Sequence, residues 1–401
     1  MKTLIELYDD TPIENVLAAD TFCPERTVFL CPQEIAQDKV WQKKMTDYFQ
    51  ARGTCTDCVF LNTSLFYANK VIRQLKNVIE TYEDCAIDIA GGSDAALFAS
   101  GVVSVESDIP VFTHSRKKQK FFNIRNSEFA ENLPFSVKYT VEDFFMMAGG
   151  AMKPGRVENE VLNRYVRKID SFFELYLKYR KVWNNNIVWF QRASNGKNNP
   201  ITLHVDCDYS QKGEHGARIN ADEAFLNELA KLGFIRKLKI HRTQKRVTFD
   251  FCDAQVRYWL RDQGSVLEVY TWKAANDAGI FNDVRCSTIV DWDSTAQRDK
   301  VSNEIDVMAV YDSIPVFISC KTCAIDTDAV NELAILRDRF GGDAAKAVII
   351  STENCRAITR GRASALDIDV IDLGDLKHAP LAAQLLSLMG KDAGDERNER
   401  T

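Results

Sequence analysis

The first part of this chain of 401 residues alternates between short apolar runs and amphipathic stretches, and few folds accept that pattern. "TLIELYD" is followed by "TPIENVLAAD", "RTVFLCP" by "QEIAQDKVWQKKMTDYFQARG" and "CVFLNT" by "FYANKVIRQLKNVIETY". "CAIDIAGGSDAALFASGVV" adds a fourth strand with its own helix, and "PVFTH" is a fifth run. Continuously apolar strands alternating with helices belong to a parallel sheet covered on both faces. Such a sheet binds ligands in the crevice at the carboxyl ends of its strands. "GGAMKPG" breaks the alternation, so the first domain is expected to span residues 1–150.

At that ligand edge the fourth strand runs into Gly91, Gly92 and Ser93, just before a helix. Backbone amides at a glycine-rich helix start suit an anion or a ribose phosphate. A tight strand–helix turn is the plainer reading of the same residues. The spacing is not G-x-G-x-x-G, which disfavours a dinucleotide-dependent enzyme. The matching turn after the first strand carries Asp10 and Thr11.

A middle region is expected over 151–253. It opens with a long aromatic and basic helical stretch from Arg156 to about Ala193, followed by the loop "SNGKNNP". Then "DEAFLNELAKLGF" leads into "IRKLKIHRTQKRVTFDF", a helix and a hairpin of winged-helix character. Its Arg236, Lys237, Lys239, Arg242, Lys245 and Arg246 either track phosphates or form a solvated face. His204, Asp206, Asp208 and His215 offer a metal site or, more plainly, a polar hairpin tip.

From 254 to about 385 the pattern changes again. A helix "YWLRDQGSVLEVYTWKAANDAG" precedes strands near "VRCSTIVDWD", "EIDVMAVYD" and "VFISCKT", a helix "TDAVNELAILRDRF", and strands "AKAVIIST" and "DIDVIDL". Lys321 closes an apolar strand, and a lysine there is costly unless an acid accompanies it. Asp306 lies on the preceding strand and Glu268 on the helix. Phosphodiester hydrolysis needs just such groups: carboxylates to hold a divalent metal, and a cation to orient water or neutralise charge. Two blander readings stand beside this one. Glu268 follows Ser265 at capping-box spacing, and Asp306 with Lys321 makes a structural ion pair. The tail from 386 to 401 is polar and expected to be disordered.

The order helix Glu, strand Asp, then a strand ending in x-Lys resembles the PD-(D/E)XK (restriction-endonuclease-like) nuclease fold. Joined to a Rossmann-like domain with a small-residue turn, it resembles the CRISPR-associated nucleases that carry a CARF sensor domain. The fold class expected is therefore α/β throughout: a Rossmann-like CARF domain, a helical and winged-helix-like middle, and a C-terminal PD-(D/E)XK domain. The resemblance implies Glu268, Asp306 and Lys321 as catalytic residues. It implies Mn²⁺ or Mg²⁺ on Asp306, Glu268 and the Cys320 carbonyl, and Glu304, on the same strand face as Asp306, as a substitute ligand. Ser319 stands where the family has an acid. It further implies a homodimer that binds a cyclic oligoadenylate, cyclic tetra-adenylate first, at Asp10, Thr11 and Gly91–Ser93. That ligand activates cleavage of single-stranded RNA or DNA in type III CRISPR antiviral defence. A ligand-regulated nucleic-acid-binding regulator with an inactive nuclease fold is the alternative, and Ser319 favours it.

Composition narrows the setting. A net charge of −6 excludes a wholly basic nucleic-acid protein but leaves room for a local basic face. No apolar run approaches the roughly 20 residues of a membrane span, and no signal peptide is visible, so a cytoplasmic location is expected. Cys55–Cys58 and Cys320–Cys323 have C-x-x-C spacing but lie far apart beside strands, which reads as buried strand thiols rather than zinc.

Overall fold

The computed structural model describes residues 1–155, 157, 159–194, 202–213, 216–291 and 302–390. Most of the "SNGKNNP" loop, His215 and the tail from Lys391 lie outside them.

The N-terminal sheet has the order β3-β2-β1-β4-β5-β6. Its strands are β1 (Thr3–Leu7), β2 (Arg26–Cys31), β3 (Asp57–Asn62), β4 (Cys85–Asp88), β5 (Val111–Ser115) and β6 (Lys120–Arg125). All pair in parallel except β6, an antiparallel edge strand from the amphipathic "KFFNIR" that was not foreseen. The connecting helices are α1 (Leu17–Phe22), α2 (Gln33–Gln37), α3 (Lys39–Arg52), α4 (Ala68–Thr81) and α5 (Asp94–Ser107), and α6 (Val141–Met147) follows. Val71, Leu75 and Val78 give α4 its buried stripe at helical spacing. With α5 it covers one face of the sheet.

The next residues do not stay with that sheet. β7 (Ala151–Pro154) pairs antiparallel with a strand of the C-terminal sheet. Then α7 (Asn159–Tyr179) and α8 (Trp183–Ala193) form the aromatic helical stretch. They are followed by β8 (His204–Asp208), β9 (Ser210–Lys212), β10 (Arg218–Asn220), α9 (Glu223–Leu232), β11 (Ile235–His241) and β12 (Arg246–Phe251). Asp222 caps α9 and Gly233 ends it in the left-handed region, so the helix and hairpin form as the sequence implies. β8 adds a third strand to the hairpin.

The C-terminal sheet has the order β17-β16-β15-β14-β13-β7. Two helices, α10 (Ala254–Trp259) and α11 (Ser265–Asp277), replace the single helix expected, because Asp262 and Gly264 intervene. Then come β13 (Asp283–Asp291), β14 (Ser302–Tyr311), β15 (Ile314–Lys321), α12 (Thr327–Gly341) and β16 (Lys346–Ser351). The chain continues through α13 (Ala357–Ala365), β17 (Ile368–Ile371), α14 (Leu373–His378) and α15 (Leu381–Leu388).

The two sheets share a core. On one side of the C-terminal sheet α7, α8 and α11 pack with Val307, Ile318 and Cys320. On the other, α12 contributes Val330, Leu333, Leu336 and Phe340 to a cluster that includes Leu4, Phe29 and Phe112 of the N-terminal sheet. Phe340 meets Phe145 of α6 edge-on at 5.3 Å. Burying an aromatic of this size contributes about 2–3 kcal/mol, so α12 is anchored between both sheets. Among the described residues no helix is long and apolar enough to cross a membrane.

Candidate active site and ligand edge

Strands β14 and β15 pair from Tyr311 opposite Ile314 to Val307 opposite Ile318, and their pairing ends there. Beyond that point the Asp306 carboxylate accepts the Cys320 backbone N–H at 2.7 Å and the Ser319 hydroxyl at 3.3 Å. A side chain thus supplies an acceptor at the point where the strands part. On the other side of β14, the register with β13 skips Ser287, which has a φ of 51°. The Ser287 hydroxyl donates to Glu304 at 2.6 Å.

The parting leaves a small cleft of about 50 Å³ lined by Glu304, Asp306, Ser319, Lys321 and, from α12, Glu332 and Leu333. Glu332 accepts from Asn303 at 2.6 Å. Glu268 does not line this cleft, but the charges of the cleft reach it on α11. Burial first, then the charges of Asp306, Asp262 and Glu304, hold the Glu268 carboxyl well above the usual carboxylate range, against Lys321. Burial also raises Asp306, opposed by the Cys320 N–H, Lys321 and Ser319.

Both blander readings receive an answer. Glu268 closes no capping box: α11 has no side-chain cap on its N-terminal residue Gly264, and Asp262 instead accepts the Ser265 N–H and hydroxyl, each at 2.9 Å. No ion pair within contact distance joins Asp306 to Lys321 among the described residues. The same residues hold no ready group of three or more His, Cys, Asp or Glu placed to grip a metal ion. Glu332 and Asp262 were missed by sequence reasoning. The one signal for Glu332 is its place one helical turn after Asp328, on the helix that follows the lysine.

At the N-terminal sheet, β1 and β4 are neighbours, with Glu6 opposite Asp88. Their following turns therefore sit side by side, at the point where the strand order reverses. Gly92 has a φ of +89°, and a Cβ there would lie 2.8 Å from the Leu7 Cβ. A Cβ on Gly91 would lie 2.6 Å from the Leu7 carbonyl oxygen and 2.9 Å from the Asp9 Cβ. Ser93 caps α5 and donates its hydroxyl to the Leu65 carbonyl. Leu65 in turn lines a cleft of about 460 Å³ with Asn62, Ser64, Lys70 and Arg73. Lys70 and Arg73, three residues apart on one face of α4, went unnoticed in the sequence.

Asp10 and Thr11 do not line that cleft. Asp10 lines a cavity of about 160 Å³ with Tyr8, Trp41, Met147 and Arg339 of α12. The Thr11 methyl would stand 2.3 Å from a Cβ on Gly342.

Three of the six basic hairpin residues are paired locally. Lys237 pairs with Asp250 at 2.8 Å, Arg242 with Glu223 at 2.7 Å and Arg246 with Asp206 at 2.7 Å. His204 meets Asp250 at 2.6 Å, so His204 and Asp206 are engaged with neighbours of the hairpin. The cysteines are free, but Cys55 and Cys323 are exposed, which corrects the expectation that both C-x-x-C pairs are buried. They sit just outside the strands, where the apolar environment ends.

Fold and site together define a class: a Rossmann-type sheet with a ligand edge, joined to an endonuclease-type sheet with an acidic, lysine-bearing cleft. Residues 252–384 match the family model described as Card1-like, endonuclease domain. No match was found among curated proteins. Protein VC1899 from Vibrio cholerae is similar over 97% of this chain and 98% of its own, at 16% identity and a TM-score of 0.76. Can2 from Sulfobacillus thermosulfidooxidans, solved in complex with cyclic tetra-adenylate, is similar over 97% of each chain, at 16% identity and a TM-score of 0.67. The chain therefore has the fold class expected from its sequence, and its residues 252–384 are similar to a Card1-like endonuclease domain.

Proposed function

We propose that this protein is a cyclic-oligoadenylate-activated, metal-dependent endonuclease of type III CRISPR antiviral defence. It acts in the cytoplasm as a homodimer on single-stranded RNA or DNA. The observation that carries the reading is the cleft at the parted ends of β14 and β15, which Asp306 and Lys321 both line, within residues that match the Card1-like endonuclease-domain model. Sensor, middle and nuclease regions are taken as 1–150, 151–253 and 254–385.

The donor chemistry fits a divalent cation. Two half-buried carboxylates, Glu268 and Asp306, are held protonation-prone by desolvation and, at Glu268, by its partner's charge. A cation between them relieves both effects, and oxygen ligands suit Mg²⁺ or Mn²⁺. Asp306 and Glu268 would hold it, with Glu304 and the Cys320 carbonyl as further oxygens. Bound there, the metal supplies charge compensation and an acidified water. Lys321 places a positive charge at the same cleft, and Ser319 orients Asp306 by its hydrogen bond.

The activator is assigned to the edge formed by Gly91–Ser93 and the adjoining cleft, with its phosphates on Lys70 and Arg73. The complex of Can2 with cyclic tetra-adenylate supports that class of ligand. The dimer is supported by α5, whose outer face exposes Phe98 and Val105 with open space at Gly101. That helix starts at the ligand turn, so a two-fold partner on this face brings two turns to one ligand.

The test is cleavage of labelled RNA and DNA with Mn²⁺, Mg²⁺ or chelator, each with and without cyclic tetra- and hexa-adenylate. Cleavage that requires both metal and adenylate is expected. Metal-independent or adenylate-independent cleavage refutes the reading. No cleavage together with adenylate-dependent nucleic-acid binding favours the second reading, an inactive nuclease fold serving a regulator, which Ser319 at the acid position supports.

A further inference from the structure

Helix α12 has two ends with different neighbours. Near its start, Ala329, Glu332 and Leu333 line the cleft with Asp306 and Lys321. At its end, the last carbonyls of a helix have no partner within the helix. Here the Gly341 carbonyl accepts a hydrogen bond at 2.9 Å from Arg116, which stands just after β5 of the other sheet. A cation is also the group that a helix C-terminus favours.

Arg116 is itself held. Its Nε donates to Glu14 at 2.7 Å. Glu14 also meets His114 Nε2 at 2.7 Å, and His114 Nδ1 lies 3.3 Å from Asp88. Asp88 ends β4, three residues before Gly91. Beside this chain the loop after β1 makes a second bridge. Asp9 Cβ lies where a Cβ on Gly91 would collide, and Thr11 packs on Gly342. Two contiguous paths thus join the glycine turn to the end of α12, through groups that are buried or half-buried.

We infer that α12 transmits occupancy of the Gly91–Ser93 turn to the acidic cleft, with the Arg116–Gly341 hydrogen bond as its grip on the N-terminal sheet. The inference rests on the ligand-gated reading for its functional consequence, but not for its mechanical one. A ligand at the turn biases the cleft only if the element between them responds to both. α12 meets that condition, because it is packed into the shared core along its length.

The test uses the full chain and Arg116→Met, which keeps the aliphatic stem and removes the guanidinium. The double variant Glu14→Gln/Arg116→Gln serves if the unpaired Glu14 prevents folding. Hydrogen exchange is measured first. Exchange is expected to accelerate about tenfold from residue 341 back to 329, with strands β1 to β5 unchanged. The ratio of cleavage with cyclic tetra-adenylate to cleavage without it is measured second. It is expected to fall about tenfold, while adenylate binding persists. A folded variant with the parent's stimulation ratio overturns the inference. If the parent shows no adenylate stimulation, the ligand-gated reading fails instead, and exchange alone decides. Acceleration reaching the cleft residues 329–333 then upholds the mechanical link, and acceleration confined to residues 341–345 overturns it.

Discussion

The Asp306 carboxylate and the Cys320 backbone N–H are 2.7 Å apart, so the acid of the cleft is bonded to the residue next to its lysine. One contact thereby fixes the spacing between the negative and positive sides of the site. It also separates two roles of Asp306: hydrogen-bond acceptor for β15, and charge.

Asp306→Asn keeps an acceptor oxygen for Cys320 and removes the charge. Cleavage should fall by about three orders of magnitude or more, since charge compensation of the phosphate depends on the metal the acid holds. Thermal stability should change by less than about 1 kcal/mol, because the bond to Cys320 survives. Lys321→Ala should lose cleavage comparably but retain metal affinity, as judged by titration calorimetry with Mn²⁺. Parent-like cleavage by Asp306→Asn places the chemistry elsewhere.

Ser319→Glu restores the acid of the family pattern beside Asp306, to which Ser319 already donates at 3.3 Å. Glu304 and Asp306 line the same cleft and Glu268 is close by, so a further carboxylate is repelled unless a cation is present. The variant should bind Mn²⁺ about tenfold more tightly. Its melting temperature should drop in chelator and recover with metal, more than the parent's does. A melting temperature indifferent to metal would falsify the placement of the cation between these acids.

Part of this cleft was legible, for a physical reason: a lysine ending an apolar strand calls for an acid on a neighbouring element, and Asp306 of β14 lines the same cleft as Lys321. The N-terminal sheet was equally legible, because its strands are buried on both faces. Glu268 shows where local reading stops, since spacing alone does not tell whether it or Asp262 serves the start of α11. The grip of Arg116 on Gly341 spans 225 residues and carries no local signature at either end. β7 was hidden for a similar reason: "AMKP" is too short to show a period, and only its pairing with β13 makes it a strand. The basic hairpin looked more cationic than it is, because its partner acids come from β8, α9 and β12.

The buried pair of His114 and Glu14 predicts a pH window. Burial alone would lower His114, but Asp88 and Glu14 raise it to about 9. Burial alone would raise Glu14, but His114 and Arg116 bring it below its ordinary value. A histidine raised in the folded state contributes stability that is complete below the unfolded value of about 6.5. That contribution is lost as pH rises through the folded value. The parent's melting temperature should therefore decline between about pH 6.5 and pH 9, and His114→Gln should flatten the decline. Equal slopes for the two proteins mean that His114 is neutral when folded.

Gly92 offers the sharpest test of the ligand edge. Its φ of +89° is strained for any L side chain, and a Cβ would come within 2.8 Å of the Leu7 Cβ at the end of β1. Gly92→Ala should therefore cost about 1–3 kcal/mol, through backbone strain and displacement of the turn. The displaced turn carries Ser93, which caps α5 and ties it to Leu65 at the edge of the larger cleft. Cyclic tetra-adenylate binding, measured well below the melting temperature so that the variant is fully folded, should weaken at least about tenfold, the effect of roughly 1.4 kcal/mol. Gly361→Ala is the control. A Cβ there meets nothing within 4 Å on α13, so it should stabilise slightly and leave binding alone. A Gly92→Ala protein that is destabilised but binds the adenylate as tightly as Gly361→Ala would show that the turn only packs against β1, and that the ligand sits away from it.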